Sequence, residues 1–203
     1  MKTLDKLFNI IKFDKKYVFF SLIIVLTGII FGSLFMVILN KSDQSLVIEY
    51  IKEFIYSIKN NTFNYNETLI NTLLMNNIIV IFMIIFGISC VLVPLNVIIL
   101  FYKSFILGFS ISGLILSFKL RGLLLSIIYV FPHLILNLII FSILTAYTLK
   151  LSLKLIRSTI KKKHVNLNLY FKKYLYIIIL FIILISISSL YESIVVPYLL
   201  KKI

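Results

Sequence analysis

Cysteine, proline, glycine and acidic side chains are all scarce in this 203-residue chain, with one, three, six and seven respectively. Each scarcity excludes something. A lone thiol, Cys90, has no intrachain disulfide partner, and one sulfur is not a metal site. It lies in an apolar run and reads as lipid-facing or packed core. So few Pro and Gly leave little room for flexible linkers, which argues for one compact domain spanning 1–203. Charged residues make up 14% of the chain, where a soluble domain carries about a quarter. The two histidines and the scattered acids form no HExxH, no phosphate loop and no GxSxG. No catalytic residue, metal site or cofactor is therefore expected.

What the chain does have is apolar length. Hydrophobic residues are 61% of it and the mean hydropathy is +1.10, which marks an integral membrane protein. Four runs reach the approximately 20 residues that a helix needs to cross hydrocarbon: 17–39, 78–101, 123–149 and 174–200. A fifth, 104–118, would rise only about 22 Å as a helix, short of a core of roughly 30 Å. It can cross if Lys103 and Lys119 snorkel outward at its ends, or it can be re-entrant. The expected fold is an all-α polytopic membrane protein: a five-span bundle with a short third span and an external amphipathic helix.

The formal charge of +14 is distributed as topology signals are, not as a nucleic-acid surface. Lys2, Lys6, Lys12, Lys15 and Lys16 precede the first run. Lys150, Lys154, Arg157, Lys161, Lys162, Lys163, Lys172 and Lys173 fall between the last two, with no acidic residue among them. Such clusters stay cytoplasmic and favour anionic lipid headgroups. With a cytoplasmic N-terminus at 1–16, five crossings place both clusters on one side and the C-terminus outside. A non-crossing 104–118 would put one cluster on the wrong side.

The connection 40–71 is then extracytoplasmic. Val47, Ile51, Phe54, Ile55 and Ile58 follow helical spacing, with Glu49, Lys52, Glu53 and Lys59 over much of the rest, and Ser45 is placed to cap the helix. Such a helix lies along the headgroups, docks on the mouth of the bundle, or offers an external interface to a partner.

Within the spans, Gly28 and Gly32 form one small-residue stripe, and Ser104, Gly108 and Ser112 form another. Small residues let backbones approach, either inside the bundle or against a partner's helix. The fourth span carries Pro132, His133 and Asn137. Proline kinks helices, and the other two share a face, serving an interhelical hydrogen bond or lining a transport path. Glu192, a lone carboxylate in the last run, is either buried among helices or an interfacial charge at a helix end. His133 and Glu192 are placed to approach each other across the last two spans.

Phe105 to Gly113 with its glycines, Phe131-Pro132-His133, and Leu190-Tyr191-Glu192-Ser193 followed by Pro197 occur in an order that resembles the stage II sporulation protein M family of endospore-forming bacteria. One departure is informative: where the family commonly has Gly after the Pro-His pair and Glu four residues past the His, this chain has Leu134 and Asn137. An amide there keeps hydrogen bonding and loses the charge. The resemblance implies a non-enzymatic scaffold at the sporulation septum, in the mother-cell membrane, during forespore engulfment. Its implied partners are membrane-anchored peptidoglycan hydrolases of the stage II sporulation protein D and P types. It further implies that 45–59 meets those enzymes, that Gly28, Gly32, Gly108 and Gly113 pack the bundle or receive anchors, and that Pro132, His133 and Glu192 fix its shape. Homodimerisation stays open. The alternative is a membrane subunit of an export complex, with 150–173 contacting a cytoplasmic ATPase and His133, Asn137 and Glu192 lining the path.

Overall fold

A computed structural model describes residues 14–60, 64–89, 91–127, 131–161 and 167–201. The described chain is helical: α1 (Lys15–Ile38), α2 (Lys41–Lys59), α3 (Tyr65–Ile88), α4 (Val93–Phe118), α5 (Leu120–Leu125), α6 (Phe131–Lys161) and α7 (Leu167–Leu190). A π-helical turn, Tyr191–Val195, leads into α8 (Val196–Lys201). Five of these stretches are long and apolar enough to cross a membrane: Lys15–Ile38, Tyr65–Gly87, Val93–Phe118, His133–Ile156 and Ile178–Leu199. Their outward faces are Leu, Ile and Phe, as lipid contact requires.

The breaks between helices fall elsewhere than the hydropathy runs place them. The expected second span, 78–101, is divided: α3 ends at Ile88, and α4 begins at Val93 with Pro94 in its first turn. Proline suits that position because the first-turn N–H groups have no intrahelical partner. Residues 104–118 are thereby the second part of a 26-residue helix, long enough to cross without re-entrant geometry. Pro132 likewise stands in the first turn of α6. It starts the helix instead of kinking it, and the expected 123–149 span is split between α5 and α6. The basic segment 150–173 is mostly helix as well: Lys150, Lys154, Arg157 and Lys161 extend α6, and Lys172 and Lys173 lie in the second turn of α7. Lys and Arg are good helix formers, so α6 outruns its apolar stretch. Lys162 and Lys163, like Cys90 and His164, lie outside the described residues.

The small-residue stripes meet each other. A Cβ on Gly28 would strike Ser104, one on Gly32 the carbonyl of Phe105, and one on Gly108 the carbonyl of Ile29. Backbones of α1 and α4 are thus in direct contact, with Phe35 tilted on Phe105 at 5.6 Å alongside. Lipid gives no hydrophobic drive for helix pairing, so close approach of this kind supplies dispersion contact instead. The stripe is internal packing, and Ser112 is half-buried beside it.

Helix α2 turns its apolar stripe inward. Ile55 and Ile58 belong to the core, Ile51 and Phe54 pack against it, and Val47 is half-buried. Gly113 on α4 makes room for Ile51. These residues therefore form an intramolecular interface on the bundle mouth, and the exposed face of α2 carries Leu46, Tyr50 and Tyr56. Ser45 does not cap the helix: its hydroxyl donates to the carbonyl of Ser42 at 2.7 Å, and the N-cap position is Asn40. At the opposite end, Lys150 Nζ meets Asp14 Oδ2 at 3.0 Å. That pair fixes the start of α1 and the basic half of α6 at the same end of the bundle.

Candidate functional site

Polar side chains from α3, α4, α6 and the α7 π-turn converge in the half of the bundle nearest α2. Glu192 opens the approach: its Oε1 lies 3.8 Å from His133 Nε2, with the His side chain 4% and the Glu side chain 24% exposed. The anticipated meeting of these two residues occurs, and Glu192 stands among helices, inside an apolar span. The π-turn explains its aim. Pro197 has no N–H to return to the carbonyl of Ser193 one turn earlier, and a widened turn at Tyr191–Val195 absorbs the mismatch. Ser193, fully buried, donates back to the carbonyl of Ser189 at 3.0 Å, and Pro197 is itself buried.

Lys103 completes the charge arrangement. In place of snorkelling to a helix end, its Nζ points inward, donates to Asn76 Oδ1 at 3.2 Å and sits 5.6 Å from the Phe141 ring centre. It also feels Glu192 electrostatically. Asn76 Nδ2 in turn donates to Ser189 Oγ at 3.2 Å, and the adjacent Asn77 Nδ2 to Ser186 Oγ at 3.4 Å. This pair of bonds ties α3 to α7. Ser188 Oγ donates to the main-chain carbonyl of His133 at 3.2 Å, tying α7 to α6. One turn beyond His133, Asn137 is buried, and among the described residues its Oδ1 has no hydrogen-bond partner.

These groups border a cavity of about 320 Å³. Lys103, Glu192, Asn76 and Asn137 are among its polar points, with Asn71 and Thr72, and Ile106, Leu138 and Phe141 are among its apolar walls. His133 stands behind Glu192 and does not line it.

Several members were missed in the sequence. Asn76 and Asn77 fall just before the expected start of the second span, where an amide is unremarkable; moving that start to Tyr65 makes them intramembrane. Asn96 was legible, being an amide within an apolar run. Its Nδ2 donates to the Met83 carbonyl at 2.8 Å and to Thr148 Oγ1 at 3.0 Å, joining α3, α4 and α6. Ser21 and Ser142 similarly join α1 to α6 by a 2.7 Å hydroxyl pair. Among the described residues, no three His, Cys, Asp or Glu side chains gather as metal ligands would.

Five apolar helices crossed by buried amide, hydroxyl and charged contacts define a polytopic α-helical membrane protein with an intramembrane polar centre. The family model for stage II sporulation protein M matches residues 21–197, nearly the whole chain. The chain belongs to that family, whose role lies in sporulation. No curated protein and no solved structure matches it.

Proposed function

We propose that this protein is a non-enzymatic membrane scaffold that recruits and localises peptidoglycan hydrolases during forespore engulfment. The observation that carries the reading is the closure of the bundle by its own polar groups. Asn76, Asn77, Asn96, Ser188 and Ser21 each bind a neighbouring helix, which builds a fixed frame. A transport path lined jointly by His133, Asn137 and Glu192 has less support, because His133 is withdrawn from the cavity that Asn137 and Glu192 border.

In this reading the N-terminus and the basic ends of α6 and α7 are cytoplasmic, against anionic lipid, and α2 and the C-terminus face the space outside the mother-cell membrane at the septum. Partners are the membrane-anchored hydrolases of the stage II sporulation protein D and P types. They meet the exposed side of α2 at Leu46, Tyr50 and Tyr56, since its apolar stripe is occupied by the bundle.

The test is crosslinked affinity capture from sporulating cells, comparing the intact protein with Tyr50→Ala/Tyr56→Ala and Glu192→Gln at equal membrane levels. Recovery of both hydrolase types, weakened by the α2 double substitution, is expected. Recovery of a cytoplasmic ATPase with neither hydrolase would replace the scaffold with the transport-subunit reading.

A further inference from the structure

We infer that the cavity between α3, α4, α6 and the π-turn is a binding site for the headgroup of a zwitterionic phospholipid carrying a primary ammonium. Three observations support it, and none depends on the scaffold reading. First, the wall presents one ammonium, Lys103, and one carboxylate, Glu192, so a headgroup with one phosphate and one amine matches both. A head with a net negative charge satisfies Lys103 and leaves Glu192 opposed. Second, Asn137 lines the cavity at 4% exposure while its Oδ1 accepts no hydrogen bond among the described residues. A buried acceptor left open is uncommon, and an N–H donor from a ligand supplies what it lacks. Third, Ile106, Leu134, Leu138 and Phe141 give the cavity an apolar side for the start of the acyl region, and the rim at Asn71 and Met75 is exposed. Asn71 lies about 9 Å along α3 from its first residue, close to the depth where headgroups meet acyl chains. An amphiphile entering sideways places phosphate at Lys103, ammonium between Glu192 and Asn137, and its glycerol over Ile106 and Leu138. The volume, about 320 Å³, falls in the range of small-molecule sites.

The test is native mass spectrometry of the full-length protein in detergent, titrated with dioctanoyl phosphatidylethanolamine, phosphatidylcholine and phosphatidylglycerol. Phosphatidylcholine has the same phosphate and differs from the first at the ammonium, where three methyl groups replace the N–H hydrogens. The expected result is binding of phosphatidylethanolamine about tenfold tighter than phosphatidylcholine, with Asn137→Leu erasing the preference and Lys103→Met, which removes the partner of the shared phosphate, weakening all three lipids. Ile106→Phe, which touches no polar group, is expected to lower binding of all three by filling the wall. Should the polar variants not fold, the ratio in the unaltered protein and the Ile106→Phe result decide. Equal binding of all three lipids overturns the site, as does a preference that survives Asn137→Leu. Equally effective competition by soluble O-phosphoethanolamine overturns the lipid assignment in favour of a free zwitterion, and a copurified peptide occupying the cavity overturns it in favour of a protein partner.

Discussion

Lys103 Nζ, ten residues into a membrane-length helix, donates to Asn76 Oδ1 on the helix before it at 3.2 Å. Across the cavity the same ammonium faces Glu192. A charge in an apolar environment needs partners or it is costly. Removing one charge takes away the other's opposite across the cavity, while His133 still neighbours Glu192 and Asn76 still accepts from Lys103. Glu192→Gln alone and Lys103→Met alone should therefore each destabilise the protein by about 1–3 kcal/mol, below the usual buried-pair loss. The double variant should lose less than the sum. Reversible unfolding in mixed micelles over the four-member cycle measures this, and strict additivity would show that the two charges are independent.

The α1–α4 contact gives a sharper steric outcome. Gly108 and Gly32 each face a main-chain carbonyl of the other helix, and a carbonyl cannot rotate away as a side chain does. Gly108→Leu should cost at least about 2 kcal/mol and loosen α1 from α4, read as loss of unfolding cooperativity. Retention of full stability would mean that the two helices do not pack through these glycines.

Gly113 should behave differently. The atom nearest an added Cβ there is the Cδ1 end of Ile51, at 2.7 Å. Gly113→Ala should be mildly destabilising, by about 1 kcal/mol, and Ile51→Val should relieve it by removing that methyl. Thermal unfolding of the two single variants and the pair checks whether α2 is seated on α4 by this contact. An equal penalty in the pair would argue against it.

Asn96 gives a hydrogen-bond test. Its amide donates to both Met83 and Thr148, so Asn96→Leu should lose about 1–2 kcal/mol. Asn96→Asp, nearly isosteric and without those N–H donors, should be worse than leucine because it leaves acceptors facing acceptors. Unfolding titrations rank the two, and an aspartate variant as stable as the parent would rule out the donor role.

Topology can be read with thiol labelling in a Cys90→Ser background. Between Glu53 on α2 and Lys154 on α6, the structure has three membrane-length passages, by α3, α4 and α6. Glu53→Cys and Lys154→Cys should therefore react with an impermeant maleimide from opposite membrane faces. Labelling of both from one face would mean that one of these three helices does not cross.

The sequence alone determined that this is a helical membrane protein. Runs of Ile, Leu and Phe near 20 residues long have no soluble alternative, and the count of five, reached by adding 104–118 to the four long runs on the balance of basic clusters, survives boundary errors of several residues. It also pointed to His133 and Glu192 as a meeting pair, because ionisable groups inside such runs have few places to go except toward each other. The glycine spacing likewise marked two close-approach faces, without saying that they faced one another.

Only the tertiary structure decided the remainder. Hydropathy is averaged along one dimension, so it could not choose between a break at Pro94 and one at Tyr102-Lys103. It therefore made a snorkelling end of a lysine that is internal, and left Asn76 and Asn77 outside a span that contains them. Whether a lysine in an apolar helix reaches out to water or in to an amide depends on what the neighbouring helices bring within about 3 Å. The same holds for α2: its stripe was legible, but a stripe fits lipid, a partner or its own bundle equally well. The room left by Gly113 for Ile51 is a three-dimensional fact, and it settled that choice.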